Sequence, residues 1–388
     1  MHSHEAIALL LFAMGAFAIP PLSGRIGIPA AVGEILFGIL VGPYVLGWFE
    51  PNEFTSFLAE LGFAFLMFLV GLEIDFTRIE REGFKGIAAA IGVSSLFFLV
   101  ALGITLLLGQ PLFLFIAFGA VSLGILMVTL NEVGMTKSRA GQTMIFVGSL
   151  AEFLTIILLT GFGMYYRFGL GWQLAIEMGK LGVIFLAAYV ALVILRTLIW
   201  WWPNAFSRVV AAKDPSEIGV RAGMATMLVY VALASLMGVE AILGAFVAGA
   251  LFSFVFREKG ALETKMASIG FGFFVPIFFI WVGTEFNLGA IMHFDVLPLL
   301  GIFLAASFVT KFLAALPLAK RGLSMRETFG AALLFGTPLT LLVVIARIGE
   351  EVGVIDEITG GALVLMAIVT SVIWPWFYRL LMRRYLIV

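Results

Sequence analysis

Glu152 stands in the middle of IFVGSLAEFLTIILL (145–159), one carboxylate among fourteen uncharged neighbours. A charge at the centre of a hydrocarbon layer costs at least about 2.5–3.5 kcal/mol on insertion scales, so such a residue faces a protein interior or a water-filled cavity. A buried carboxylate can hold a proton when neutral and a hard cation when ionised, because burial raises its proton affinity and a nearby cation lowers it. Hydroxyl oxygens that could complete a shell for an alkali ion are Ser122, Ser149, Thr337 and Thr340; Ser149 and Glu152, three apart, share a helical face. The bland alternative is a protonated glutamate that merely hydrogen-bonds a neighbouring helix.

The other ionisable residues of the apolar runs are less central. Glu34 lies about two turns inside the second run, and Lys311 about two turns from the inner end of the eleventh; the two are expected either to pair or to line an ion path. Glu73 and Glu285 close their runs, where a charged end can snorkel to the interface.

The elements that position these residues must be membrane helices. The chain has 388 residues, 62% hydrophobic and 12% charged, against roughly 25% charged in an ordinary soluble domain. Runs long enough to cross about 30 Å as helices fall near 5–23, 28–47, 56–75, 85–108, 112–131, 141–164, 174–201, 219–236, 239–257, 269–289, 295–319, 328–346 and 358–382, thirteen in all. Lys and Arg concentrate in alternate loops (Arg25; Arg78, Arg81, Lys85; Lys137, Arg139; Arg208, Lys213; Arg257, Lys259, Lys265; Lys320, Arg321, Arg326), and Arg379, Arg383 and Arg384 close the chain. The opposite loops hold Arg167 and Arg347 beside acidic residues, which places the N-terminus outside and the C-terminus in the cytoplasm. The first run is expected to be an uncleaved helix, and no soluble domain is expected after the last.

The expected organisation is a single transmembrane domain over 1–388, with one repeat at about 5–164, a linker helix at 174–201 and a second repeat at 219–382. Gly33 and Gly38 within AVGEILFGIL match Gly244 and Gly249 within AILGAFVAGAL, and VGLEID (70–75) matches VGTEFN (282–287), at offsets of 211 and 212. Seven runs separate the partners, so the second copy is inverted. Inverted repeats are the build of secondary transporters whose site lies at the midplane between discontinuous helices. Gly124 after Ser122-Leu123, and Gly336-Thr337-Pro338, mark where two helices would break, since proline lacks the backbone donor and glycine lowers the cost of unwinding. A proline kink packed by small residues is the alternative.

No cysteine is present, and His2, His4 and His293 lie outside the apolar runs, which removes thiol chemistry and a histidine site in the membrane. No nucleophile–base pair or nucleic-acid surface stands out; an enzyme is not expected, and neither is a cofactor beyond the transported ions.

RIGIPAAVGEILFGILVGP (25–43), FLMFLVGLEID (65–75), GAFVAGALF (244–252) and VPIFFIWVG (275–283) make the chain resemble the monovalent cation:proton antiporter family 2 over nearly its whole length. The resemblance implies crossing broken helices at runs five and twelve, a moving core with runs five, six and twelve, a static dimer domain with runs such as two and nine, and a homodimer in a bacterial-type inner membrane. It also makes Glu152 the ion-binding acid. Relatives carry an acidic or polar residue before that acid; here it is Ala151, and no second acid stands beside Glu152. The expected function is exchange of sodium for protons, one for one and electroneutral, in pH homeostasis. Potassium:proton exchange is the alternative within the class, and an ion channel or a non-transporting sensor the alternative outside it.

Overall fold

The structure is a computed structural model describing residues 3–26, 28–74, 76–201, 217–237, 241–256, 260–285 and 296–382. All regular structure among these residues is helical. Among the described residues eight helices are long and apolar enough to cross a membrane, and nine if the bent pair Met325–Phe335 and Leu339–Glu351 is one span; shorter apolar helices lie at Ala30–Val41, Leu114–Leu130 and Leu243–Val255. Each of the thirteen apolar runs carries helix. Arg208, Lys213, Arg257, Lys259, Arg383 and Arg384, on which the expected orientation partly rests, lie outside the described residues, as do Asp75 and Asn287 of the matched motifs.

The chain divides into two compact units, each drawn from both halves of the sequence: Met1–Arg81 with Phe168–Phe286, and Glu82–Arg167 with Asn287–Val388.

The first unit holds α1 (Ser3–Ile26), α2 (Ala30–Val41), α3 (Glu53–Glu73), α8 (Trp172–Trp201), α9 (Ile218–Leu236), α10 (Ala241–Val255), α11 (Gly260–Ile269) and α12 (Val275–Glu285). Asn52 opens α3 with a capping box, its Oδ1 accepting from the Thr55 amide at 3.0 Å while Thr55 Oγ1 accepts from the Asn52 amide at 2.9 Å. Between α11 and α12 runs a π turn, Gly270–Phe274. Pro276 supplies its cause: without an N–H it cannot bond the Gly272 carbonyl, and the Val275 amide reaches back five residues to Gly270. Two helix pairs, α2 with α12 and α3 with α10, pack backbone to backbone through glycines. A Cβ on Gly38 would strike the Ile280 carbonyl and stand 2.9 Å from Gly283 Cα; a Cβ on Gly249 would strike the Phe68 carbonyl and stand 2.9 Å from the Leu72 amide nitrogen. Gly71 and Gly283 complete the same two crossings, and the two contacts exchange under the 211–212 offset read from the sequence.

The second unit holds α4 (Phe76–Leu107) beyond a kink at Gly83 (φ 66°), then α5 (Leu114–Gly119), α6 (Leu123–Glu132), α7 (Arg139–Phe168), α13 (Val296–Ala315), α14 (Pro317–Lys320), α15 (Met325–Phe335), α16 (Leu339–Glu351) and α17 (Glu357–Met382). Two breaks interrupt it. One, over Ala120–Ser122, separates α5 from α6; the other, over Gly336–Pro338, bends α15 from α16 by 42°. α5 packs on α16 and α6 on α15, so the two broken helices cross with opposite halves in contact. α13 and α17 pack against them, and Phe118 meets Phe303 and Phe97 meets Phe335 edge to face at 5.3 and 5.2 Å.

Candidate functional site

Glu152 lies on the buried face of α7, with Gly148, Ala151 and Thr155, and is 1% exposed. Its Oε1 accepts the Ser122 hydroxyl at 3.0 Å, and its Oε2 accepts the Leu123 amide at 3.2 Å. Leu123 is the first residue of α6, whose first amides have no partner within their own helix. The carboxylate therefore caps the N-terminal end of a half-helix. Ser122 Oγ lies 3.2 Å from Thr340 Oγ1 on α16, and either hydroxyl can donate. Three of the residues singled out by sequence, Glu152, Ser122 and Thr340, thus meet at the crossing of the two breaks.

Ser149 and Thr337 use their protons elsewhere. Ser149 is half-buried and donates to the Ile145 carbonyl, one turn back, at 2.8 Å. Thr337, fully buried, donates to the Leu334 carbonyl at 2.7 Å. Gly124 sits in the first turn of α6 with open space beside it; Gly336 ends α15 and Pro338 precedes α16, so both stand in the second break.

Lys311 takes a place that sequence position alone did not suggest. It is wholly buried on α13, and its Nζ donates to the Ala120 carbonyl at 2.6 Å while lying 5.1 Å from the centre of the Phe97 ring. Ala120 ends α5, where the helix dipole is negative. Glu34, 3% exposed on α2, belongs to the first unit and Lys311 to the second. Glu73 and Glu285 end α3 and α12 of the first unit, Glu73 half-buried and Glu285 exposed. The lone lysine in the apolar run FVTKFLAALPL was the signal available for Lys311; its target, a main-chain carbonyl, has no signature in residue type.

The chemistry is that of a small hard ion. One carboxylate, two hydroxyls and a main-chain amide at the first break converge away from bulk water, and the carboxylate can bind a proton or an alkali cation through oxygen.

Residues 9–383 match the family described as sodium/hydrogen exchanger, transmembrane. The chain belongs to that family. Among its relatives, a putative Na(+)/H(+) antiporter of Bacillus subtilis is 31% identical over 98% of this chain, which spans 64% of the length of that protein. A probable Na(+)/H(+) antiporter of Methanocaldococcus jannaschii is 28% identical over 92% of each chain. The solved structure of a sodium proton antiporter from Methanocaldococcus jannaschii superposes with a TM-score of 0.64 at 15% identity, over 99% of this chain and 98% of that chain. The likeness establishes a shared all-helical fold.

Proposed function

We propose that the chain exchanges a monovalent cation, sodium ahead of potassium, for protons by alternating access, with Glu152 carrying either ion. The observation that carries this reading is the bonding of Glu152: a buried carboxylate held by the Ser122 hydroxyl and the Leu123 amide at the start of α6. Ionised, it accepts both bonds, and Thr340 can donate to Ser122. Neutral, its own O–H can donate to Ser122 Oγ, and Ser122 turns to Thr340. The hydroxyl pair serves both states of the acid by reversing direction, and its oxygens can turn lone pairs to a cation that displaces the proton. Ser149, whose proton goes to a main-chain carbonyl, keeps lone pairs for the same use.

Ala151 beside Glu152 adds no second acid, which supports exchange of one cation for one proton without net charge movement. Glu152, Ser122, Thr340 and Lys311 all belong to the second unit, which we assign the moving role; the first, with its glycine crossings, we assign the static role and the homodimer contact. The repeats at 5–164 and 219–382 are supported by the matching offsets of those crossings. The basic loops support a bacterial-type inner membrane with the N-terminus outside and the C-terminus in the cytoplasm. Glu34, Glu73 and Glu285 are assigned no ion-binding step.

The test is proton flux in liposomes holding the purified protein and an internal pH dye, during pulses of Na+, K+ and Li+. Coupled flux in the parent and its loss in Glu152→Gln are expected, with the order of the cations naming the substrate. Cation flux that neither saturates nor couples to protons would turn the reading to a channel, and a parent that moves neither ion would turn it to a sensor.

A further inference from the structure

We infer that Thr337 is a positioning residue: its hydroxyl replaces the amide proton that Pro338 lacks, and so holds the bend that brings Thr340 to Ser122. In an uninterrupted helix the amide of residue 338 would bond the carbonyl of Leu334, four residues back. Proline has no such proton. The Leu334 carbonyl is instead met by Thr337 Oγ1 at 2.7 Å, with the Thr337 amide at a longer 3.3 Å. Thr337 is 0% exposed, so water is not at hand to take over, and without the hydroxyl the carbonyl keeps only the longer amide bond. Beyond the proline the chain turns: the Leu339 amide bonds the Thr337 carbonyl at 2.9 Å, the Leu342 amide bonds the Pro338 carbonyl at 2.9 Å, and α16 starts at 42° to α15. Thr340, second residue of α16, then lies 3.2 Å from Ser122.

The two breaks are thus satisfied by different means. At Ala120–Ser122 the freed carbonyl and amide are taken by long charged side chains from other helices, Lys311 and Glu152. At Gly336–Pro338 the carbonyl facing the proline is taken locally, by the residue before the proline. A Thr-Pro pair inside an apolar helix therefore carries its own cap, and the bend in α16 needs no charge to hold it.

The inference rests on the proposed exchange only where transport is read; the stability readout is independent of it. Thr337→Val keeps the shape and removes the hydroxyl, Thr337→Ser keeps the hydroxyl, and Thr337→Val with Pro338→Ala returns an amide to position 338. Thermal unfolding of the purified proteins, first without cation and then with Na+, is the first measurement. The valine variant should unfold a few degrees lower without cation, the serine variant should match the parent, and the double variant should regain part of the loss. The Na+-induced shift should survive in all three. In liposomes the valine variant should show a several-fold higher KM for Na+, restored by serine. A valine variant as stable as the parent without cation would overturn the inference, and loss of its Na+-induced shift alone would make Thr337 an ion ligand instead. If Pro338→Ala is itself unstable, the serine and valine pair decides by the same criterion. A parent that transports nothing would defeat the exchange reading and leave the stability comparison intact.

Discussion

Lys311 and Glu152 hold opposite sides of one three-residue break: the ammonium bonds the Ala120 carbonyl at 2.6 Å and the carboxylate the Leu123 amide at 3.2 Å. A carbonyl at the end of α5 and an amide at the start of α6 are the groups a broken helix leaves open. Each meets the partner its chemistry calls for, a donor at the carbonyl and an acceptor at the amide.

Lys311 should therefore matter for stability through a bond to the main chain. Lys311→Met leaves the Ala120 carbonyl without its ammonium and removes a cation held over Phe97; a loss of about 1–3 kcal/mol is expected. Lys311→Gln, whose amide can still donate, should lose less. Thermal unfolding of the purified variants checks the order, and equal stability of the methionine variant and the parent would remove the role.

The glycine crossings of the first unit make a contrast within one residue type. Gly38→Ala and Gly249→Ala place a Cβ against the Ile280 and Phe68 carbonyls, so the helices must part, at a cost of about 1–3 kcal/mol or more. Gly92→Ala and Gly103→Ala on α4 meet open space and should leave stability unchanged or raise it by up to about 1 kcal/mol. Unfolding temperatures of the four variants decide, and a common effect at all four would break the link to close backbone approach.

Asp356 caps α17 from the loop before it. The Thr359 side chain and then the Thr359 amide, which reaches Oδ1 at 2.9 Å, hold the carboxyl below its ordinary 3.8. A depressed value stabilises the folded state at pH above the unfolded value, and that share is lost as pH falls through the folded one. Asp356→Asn keeps an acceptor oxygen and should lose this acid-side dependence below about pH 4, while Asp356→Ala should cost about 0.5–2 kcal/mol at neutral pH. Stability measured against pH for the two variants checks both statements; parallel curves for the parent and Asp356→Asn would discard the first.

The amino-acid sequence by itself determined the membrane class, the apolar runs, the position of the proline break and the central acid, and it put the other break a few residues late, at Gly124 inside α6. Each depends on residue type along the chain: hydrocarbon thickness sets run length, proline and glycine mark missing or cheaply opened hydrogen bonds, and one carboxylate in an apolar run has few uses. The tertiary structure decided which groups meet. Ser122 and Thr340 converge on Glu152 although 218 residues separate them, whereas Ser149, one turn from Glu152 in sequence, gives its proton to its own helix. Lys311 bonds a carbonyl 191 residues away. A main-chain group has the same chemistry at every position, so no pattern of side chains announces which carbonyl or amide a break will free, or which distant charge the packing will bring to it.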